Sequence, residues 1–161
     1  MKTLTLEPIG RDIDVRTSSL LVTALLRESR GRVKQVCGGK GICATCHVRV
    51  IAGNERLSPV RDRERRTLSL ISGSDGCSRL ACQAEVLGDG ITVQIPPGIY
   101  LEKLADIEAL IGRRAEEPLF HPISGNVLVP AGKIITRSVV GTIRDLEVDV
   151  VSALSGTQRA I

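Results

Sequence analysis

Four cysteines are spaced so that their thiols could enclose a metal cofactor. Three of them lie within ten residues and the fourth follows thirty-six residues after the third: Cys37, Cys43, Cys46 and Cys82. Deprotonated thiols are ligands for iron–sulfur clusters and for zinc. The spacing therefore indicates a site with four thiolate ligands, suited to electron transfer or to structural metal binding.

The loop that carries the first three cysteines is rich in glycine. Gly38, Gly39 and Gly41 stand between Cys37 and Cys43. Glycine lets the backbone approach a bound group closely and turn with a positive φ. Backbone N–H groups held close in this way donate hydrogen bonds to cluster sulfurs. The loop lacks the Gly-Lys-Ser/Thr ending of a phosphate-binding loop, so phosphate binding is not predicted.

Three interpretations of the cysteines are open at this point. They are a [2Fe–2S] cluster held by Cys37, Cys43, Cys46 and Cys82, a structural zinc site with the same ligands, and a set of unrelated core cysteines. Zinc sites usually combine one Cys-x-x-Cys pair with a second such pair or with two histidines. Here only Cys43 and Cys46 have that spacing. Unrelated core cysteines are not expected in a polar, glycine-rich loop, so the spacing favours the cluster.

Composition limits the remaining functions. The chain has 161 residues, enough for one domain or two small ones. Tyr100 and Phe120 are its only aromatic residues, so nucleic-acid binding by base stacking is not expected. Five cysteines is an odd number, which favours metal binding over a disulfide framework. We see no leader pattern and no apolar run long enough for a membrane span, and we expect a cytoplasmic protein.

Positive charge is concentrated near the cysteine loop. Residues 1–98 hold fifteen Lys and Arg against ten Asp and Glu, whereas residues 99–161 hold seven against eight. The basic residues closest to the loop are Arg27, Arg30, Arg32, Lys34 and Lys40. This group is interpreted as steering an acidic partner or as offsetting the charge of a bound cluster, with a solvated mixed-charge surface as the alternative.

Hydrophobic alternation and glycine-rich breaks predict the elements up to residue 98. In chain order they are a hairpin with strands at 3–6 and 12–16, a helix at 20–30 capped by Ser18 or Ser19, a strand at 47–52, a helix from 58 to 73, and strands at 80–86 and 91–95. Ser58-Pro59 is interpreted as the cap and first residue of the second helix. Glu64, Leu68 and Ile71 are predicted to share one face of it. Gly88-Asp89-Gly90 is interpreted as the turn between the last two strands.

Pro96-Pro97-Gly98 marks the predicted domain boundary, which divides the chain into residues 1–98 and 99–161. Beyond the boundary the predicted elements are a helix at 101–111, strands at 126–129 and 133–135, a short helix capped by Thr136, and a strand at 148–150. These elements predict a small α+β extension.

Taken together, the motifs resemble a known family. Cys-Gly-Gly-x-Gly-x-Cys-x-x-Cys, followed by Arg-Leu-Ala-Cys-Gln at residues 79–83, resembles the [2Fe–2S] ferredoxins of the adrenodoxin and bacterial type. The resemblance covers residues 1–98. It implies an α+β fold with a β-grasp domain, in which a helix packs across a mixed sheet. The ligands that it implies are Cys37, Cys43, Cys46 and Cys82.

Cys77 is a rival for the position of fourth ligand. It follows Cys46 at nearly the separation found in plant-type ferredoxins. The gap of five residues between Cys37 and Cys43, and the Arg-Leu-Ala-Cys-Gln context, both favour Cys82. We expect Cys77 to be a spare thiol, with ligand exchange or redox sensing as the alternative.

His47 follows Cys46 directly and is the other side chain that could bind iron. Rieske centres use two histidines, and the second histidine here, His121, lies outside the ferredoxin-like region. We expect His47 to make a structural hydrogen bond instead.

The resemblance implies a one-electron carrier rather than an enzyme, with a reductase and an electron acceptor as protein redox partners. Adrenodoxin-like ferredoxins dock these partners through an acidic helix between the third and fourth cysteines. The corresponding stretch, residues 60–66, holds four arginines against two acids. We therefore expect partners with an acidic docking surface and association that weakens as salt rises.

The extension at residues 99–161 exceeds what a ferredoxin needs. It is interpreted as a part that docks a partner, targets the protein or forms oligomers, with a stabilising cover on the ferredoxin-like domain as the alternative. If the state of the cluster controlled partner binding through this extension, the protein would be a redox or iron sensor. This is the alternative to the electron carrier.

Overall fold

The described part of the chain forms two sheets, and the first of them has five strands and is mixed. A computed structural model describes residues 1–102 and 104–145 of the chain. The strands are β1 (Lys2–Glu7), β2 (Arg11–Val15), β3 (His47–Ala52), β4 (Ser78–Leu80) and β5 (Ile91–Gln94). Their order in the sheet is β2-β1-β5-β3-β4. β1 and β5 run parallel, and the other neighbours are antiparallel. The predicted hairpin is confirmed as β1 and β2, and the predicted strand after the cysteine loop is confirmed as β3.

One helix, α1 (Leu21–Glu28), contributes its apolar face to the core of this sheet. Leu21, Val22 and Leu25 are buried on one side of the helix. They join alternate strand residues such as Leu4 and Leu6 in a single core. The predicted helix is confirmed, but its cap is not, because Leu20 occupies the cap position and no side chain caps the first turn.

The second helix begins later than the sequence predicts. α2 spans Asp62–Leu70, and a short 3-10 turn at Asn54–Arg56 precedes it. Ser58 does not cap a helix because it pairs with Glu85. The Ser58 amide donates to the Glu85 carbonyl at 2.9 Å, and the Ser58 hydroxyl accepts the Glu85 amide at 3.0 Å. A tertiary contact has overridden the local cap pattern, and Arg61 occupies the cap position.

The predicted strand at 80–86 and its hairpin with β5 are wrong. Only β4 is a strand here, and it pairs with β3. The chain then turns and runs beside the start of α1, where the Leu21 amide donates to the Ala84 carbonyl at 2.8 Å. Amides of a first helical turn lack partners within their own helix. The carbonyls of Ala81 and Ala84 therefore accept amides of α1 and are not free to pair with β5.

The second sheet is formed by strands between residues 99 and 129. Its strands are β6 (Ile99–Tyr100), β7 (Leu119–Phe120) and β8 (Val127–Val129), in the order β6-β7-β8. Helix α3 spans Leu104–Glu108, and residues 137–145 are also helical. A second core contains Ile107, Ala115, Leu119, Val129, Ile135, Val140 and Ile143. We call residues 99–145 the C-terminal segment.

Two predictions for the C-terminal segment are confirmed. β8 lies at the predicted strand, and the Val139 amide donates to Thr136 Oγ1 at 3.2 Å, as expected of a helix cap. The strand predicted at 148–150 lies outside the described residues. Within the described parts of the chain, we find no helix with the length and apolar character needed to cross a membrane.

Two other predictions for this segment are wrong. α3 is shorter than the predicted helix at 101–111, and Gly112, just beyond it, takes a left-handed φ of 89°. The strand predicted at 133–135 does not pair with β8. Ile134 makes a single bridge to Arg114, and β8 pairs with β7 instead.

Two aromatic side chains join the C-terminal segment to the first core. Tyr100 is buried in that core and Phe120 packs against it. Their ring centroids are 5.2 Å apart and the rings are tilted by 50°, which is a favourable aromatic geometry. Strands β6 and β7 are therefore anchored on the first sheet through these rings.

A buried ion pair joins α2 to β4. The side chains of Glu64 and Arg79 are 0% and 2% exposed. Arg79 donates to Glu64 through Nε at 2.8 Å and through Nη2 at 3.3 Å, and the Ser58 carbonyl accepts from Nη2 at 2.8 Å. The Leu80 amide also donates to Glu64 Oε1, at 2.9 Å. This network holds α2 against the strand that leads to Cys82.

Replacing Glu64 should destabilise the fold strongly. Glu64→Ala leaves the Arg79 guanidinium buried without its counter-charge, a change that costs about 3–5 kcal/mol. We expect the thermal unfolding midpoint of the cluster-loaded protein to fall by roughly 6–20 °C, measured by far-ultraviolet circular dichroism. Asp62→Ala, which breaks the exposed pair to Arg65 on the same helix, should cost about 1 kcal/mol or less. Equal losses in the two variants would contradict the importance of the buried pair.

Candidate metal-cluster site

The cysteine loop, residues 31–46, runs between α1 and β3 without a regular helix or strand. Its last residue, Cys46, directly precedes β3. Because β3 and β4 are antiparallel, residues before β3 lie beside residues after β4. The Ala81 amide accordingly donates to the Cys46 carbonyl at 3.0 Å. This pairing brings Cys82 to the cysteine loop.

The structure buries the four predicted ligands together. The side chains of Cys37, Cys43, Cys46 and Cys82 are 8%, 1%, 1% and 3% exposed, and all four are free thiols. The thiols of Cys37 and Cys43 lie close enough to shift each other's pKa, and so do the thiols of Cys46 and Cys82. The four thiols therefore form two close pairs.

Within each pair the two thiols differ in acidity. The neighbouring Cys43 thiol, together with the amides of residues 40–42, lowers the pKa of Cys37 to about 5, although burial opposes the shift. The Cys46 thiol, together with Gln83, lowers the pKa of Cys82 to about 7, again against burial. The neighbouring thiols, together with burial, raise the pKa of Cys43 and of Cys46. Each pair thus favours one thiolate and one protonated thiol, and metal binding would release the remaining protons.

The donor set fits a two-iron cluster. In a [2Fe–2S] cluster each of two irons takes two thiolates. The two pairs of buried cysteines, Cys37 with Cys43 and Cys46 with Cys82, would supply these four donors.

Polar side chains lie against the sulfurs. Thr45 Oγ1 is 3.1 Å from Cys43 Sγ. Gln83 Nε2 donates to Cys82 Sγ at 3.5 Å and to the Gly39 carbonyl at 3.0 Å. Donors to sulfur stabilise negative charge on the thiolates and on a bound cluster.

Helix α2 holds the glycine-rich part of the loop from one side. Thr67 Oγ1 donates to the Gly41 carbonyl at 2.5 Å, and Arg63 Nη1 donates to the Lys40 carbonyl at 3.2 Å. Gly41 has a φ of 71°, and a Cβ there would lie 2.9 Å from Gln83 Cδ. Glycine at this position therefore satisfies both the backbone conformation and the close approach of Gln83.

Cys77 and Cys82 lie at opposite ends of β4, and only Cys82 meets the loop cysteines. Cys77 is half-buried and precedes β4. Its amide donates to Asp75 Oδ1 at 2.9 Å, and its carbonyl accepts the Val50 amide at 2.7 Å. The structure thus groups Cys82 with the loop and leaves Cys77 as a separate thiol.

The hydrogen bond expected of His47 is confirmed. His47 Nε2 lies 2.8 Å from Ser78 Oγ, between β3 and β4. Burial lowers the pKa of His47, which favours the neutral ring. His121 lies in the C-terminal segment, beyond β7.

The C-terminal segment contacts the cysteine loop directly, which sequence reasoning missed. The amide of Ala44, which stands between Cys43 and Cys46, donates to the Pro122 carbonyl at 2.8 Å. Any residue can supply a backbone carbonyl, so no residue pattern could have revealed this bond. The sequence indicated only part of the buried pair of Glu64 and Arg79, because it predicted an acid, Glu64, on an apolar face of the second helix.

Two residues of the predicted steering group are paired within the chain. Arg32 forms an ion pair with Glu117, and Lys34 Nζ lies 3.6 Å from Glu102 Oε2. Both acids belong to the C-terminal segment. Two of the four basic residues that precede Cys37 in this group therefore face the C-terminal segment.

Comparisons with known proteins agree with this geometry. A family model described as a 2Fe-2S iron-sulfur cluster binding domain matches residues 4–87. The 2Fe-2S ferredoxin of Haemophilus influenzae is 32% identical over 89 residues, which are 55% of this chain and 78% of that protein. The solved ISC-like [2Fe-2S] ferredoxin of Pseudomonas putida JCM 20004 is 27% identical with a TM-score of 0.53, over 60% of this chain and 93% of that one. A chain of the covalent putidaredoxin reductase–putidaredoxin complex is 29% identical with a TM-score of 0.51, over 59% and 98% of the two chains.

Replacing single cysteines should separate the fourth ligand from the spare thiol. Cys82→Ala removes one donor from the buried pair with Cys46, so we expect loss of most bound iron and acid-labile sulfide and of the visible absorption. Cys77→Ala is the matched control at the other end of β4. It should keep bound iron, acid-labile sulfide and visible absorption at the wild-type level. Cluster loss in Cys77→Ala with retention in Cys82→Ala would reverse the assignment.

Proposed function

The chain belongs to the family of 2Fe-2S iron-sulfur cluster binding domains, and we propose that it carries single electrons from a protein donor to a protein acceptor. A [2Fe–2S] cluster, when bound, supplies one-electron redox chemistry. The observation that supports the proposal most strongly is the convergence of four buried thiols in two pairs. The ligands that we propose are Cys37, Cys43, Cys46 and Cys82.

We propose that the residues around the thiols adjust the reduction potential and protect the site from water. The amides of residues 40–42 point towards Cys37, and the Gln83 amide group donates to Cys82. Such donors stabilise the additional negative charge that arrives with an electron. Burial of the four cysteines limits the access of water to their sulfurs. These residues therefore adjust the reduction potential and protect the site.

We propose that partners dock on the exposed face of α2. Its exposed basic residues are Arg63, Arg65 and Arg66, and the cap residue Arg61 is also exposed. The bonds from Arg63 and Thr67 to the cysteine loop place this face beside the proposed cluster. Leu70, 78% exposed at the end of the helix, adds an apolar contact. Arginines with a neighbouring apolar residue suit an acidic protein surface with an apolar centre.

A reductase is the proposed electron donor. One of the similar solved structures is a complex between putidaredoxin and putidaredoxin reductase. By analogy we propose a reductase for this chain, and the charge of α2 predicts that its docking surface is acidic. The acceptor would bind through the same chemistry, since the positive face beside the cluster is available to both partners in turn.

We also propose that residues 1–98 and 99–161 are separate domains. The two sheets and the two hydrophobic cores support this division. A cytoplasmic location is proposed as well, because an odd number of free thiols suits a reducing compartment.

A redox or iron sensor is the second candidate function. It is favoured by the direct hydrogen bond between Ala44 of the cysteine loop and Pro122 of the C-terminal segment. In a sensor, reduction would change the exposure of this segment. Hydrogen exchange of residues 99–145 in the oxidised and reduced protein distinguishes the two functions. Equal exchange is expected for a carrier, and a large change on reduction would favour the sensor.

Charge reversal on α2 should slow electron transfer to an anion. Arg66 is exposed and directly precedes Thr67, which bonds to the cysteine loop. In Arg66→Glu, we expect the rate of ferricyanide reduction by the dithionite-reduced protein to fall about three- to tenfold at low salt. Stopped-flow absorption measures this rate, and the effect should shrink as salt rises.

Two controls complete the experiment. Arg137→Glu makes the same change in net charge in the C-terminal segment and should alter the ferricyanide rate by less than about twofold. With the cation hexaammineruthenium(III) as oxidant, Arg66→Glu should raise the rate instead. A ferricyanide rate that is unaffected by Arg66→Glu would contradict docking on this face.

A further inference from the structure

A short turn of the C-terminal segment, residues 121–125, contacts the cysteine loop between Cys43 and Cys46. The Pro122 carbonyl accepts the Ala44 amide at 2.8 Å, and the Ser124 carbonyl accepts the Ser72 amide at 2.8 Å. Ala44 lies between two proposed ligands, whereas Ser72 follows the end of α2. The turn therefore joins the cysteine loop to the chain beyond α2.

Both bonds lie at a tightly packed contact. Ala44 is completely buried, and Pro122 is buried as well. A Cβ at Gly125 would lie 3.2 Å from Ile71 Cγ2 and 3.9 Å from Ala44 Cβ. Because Gly125 has a φ of 71°, a side chain there would also strain the backbone. Glycine at this position therefore avoids both a tight contact with Ile71 and backbone strain.

His121 gives the turn its shape. Its Nδ1 atom accepts the amides of Ile123 at 3.2 Å and Ser124 at 3.1 Å. Its carbonyl accepts the Gly125 amide at 2.9 Å. Burial lowers the pKa of His121, which keeps Nδ1 available as an acceptor. The imidazole thus holds the backbone so that the carbonyls at 122 and 124 point at the first domain.

The base of the turn is fixed as well. Phe120, directly before His121, packs on the first core beside Tyr100. On the other side of the cysteine loop, Lys34 Nζ donates to the Tyr100 carbonyl at 3.0 Å. The C-terminal segment consequently contacts the loop both before Cys37 and after Cys43.

We propose that the 121–125 turn is a positioning element for the cluster, with His121 as its positioning residue. It keeps the Ala44 amide bonded to Pro122 and away from the sulfurs, and it fixes the backbone between Cys43 and Cys46. The turn therefore helps to set both the retention of the cluster and its reduction potential. This inference rests on the ligand set proposed above.

The direction of the effect follows from hydrogen bonding. When the turn is displaced, the Ala44 amide loses its carbonyl partner, and water gains access to this side of the loop. An amide or water near the sulfurs stabilises the reduced, more negative state. Displacement should therefore raise the midpoint potential. It should also speed cluster loss, because the backbone between the second and third cysteines is less restrained.

Two glycines of the C-terminal segment provide a matched pair of variants. Gly125→Ala and Gly132→Ala both place a Cβ on a residue with positive φ, at 71° and 83°. At Gly132 the new Cβ meets no atom within 4 Å, whereas at Gly125 it presses on Ile71. The two substitutions thus share the backbone strain, and only Gly125→Ala presses the turn against Ile71, beside Ala44.

Cluster loss and redox properties test the inference. In Gly125→Ala, we expect the visible absorption to decay in excess chelator at least about threefold faster than in the wild type. We also expect a higher midpoint potential and an altered electron paramagnetic resonance spectrum of the reduced protein. Gly132→Ala should stay within about twofold of the wild-type decay and keep its potential and spectrum. Equal behaviour of the two variants would overturn the proposal.

His121 variants supply an independent test. His121→Ala removes the acceptor of two amides and should reproduce the effects of Gly125→Ala. His121→Asn offers Oδ1 as a replacement acceptor and should restore decay and potential towards wild type. If His121→Ala folds and keeps the wild-type decay and potential, the proposal fails. If His121→Ala does not fold, the comparison of Gly125→Ala with Gly132→Ala tests the proposal.

The failure of this inference can be told from the failure of the proposed function. A wild-type protein without iron and acid-labile sulfide would refute the ligand set. A wild-type protein with a bound cluster that Gly125→Ala leaves unchanged would refute only the role of the turn.

Discussion

The cluster site depends on the antiparallel register of β3 and β4. His47 pairs with Leu80, so Cys46 and Cys82 lie at the same end of two neighbouring strands. A slip of one residue would turn every side chain of β4 to the other face of the sheet. The fourth thiol would then leave its partner, although the loop cysteines stayed in place. Sheet pairing therefore determines whether the fourth donor, Cys82, meets the three donors on the loop.

The buried pair of Glu64 and Arg79 reinforces this register. Arg79 belongs to β4, and Glu64 also accepts the amide of Leu80. Two charges removed from water need full hydrogen bonding, and each finds it only when α2 and β4 are correctly aligned. The same helix holds the cysteine loop through Thr67. Thus α2 couples the alignment of the strand to the conformation of the loop.

The site was easier to predict from the sequence than the fold around it. The four thiols could be predicted as one set because cysteines within a polar, glycine-rich loop favour metal binding, and the structure brings those four cysteines together. The strand predicted at 80–86 is wrong because alternation indicates burial and not hydrogen-bond partners, and the carbonyls of Ala81 and Ala84 accept amides of α1. The prediction that a helix starts at Ser58 is wrong because the amide and hydroxyl of Ser58 bond to the backbone of Glu85, a residue distant in the sequence. The contact of Pro122 with Ala44 was beyond prediction, since it uses backbone atoms alone.

The pairing of Arg32 and Lys34 with acids of the C-terminal segment limits the directions from which redox partners can approach the site. Within the described residues, the C-terminal segment occupies one flank of the loop, and the α2 face that we propose for docking lies on another. If donor and acceptor both use that face, they exclude each other, and no three-protein relay can form. The carrier must then leave one partner before it meets the next, so the flux of electrons is limited by how quickly each encounter ends.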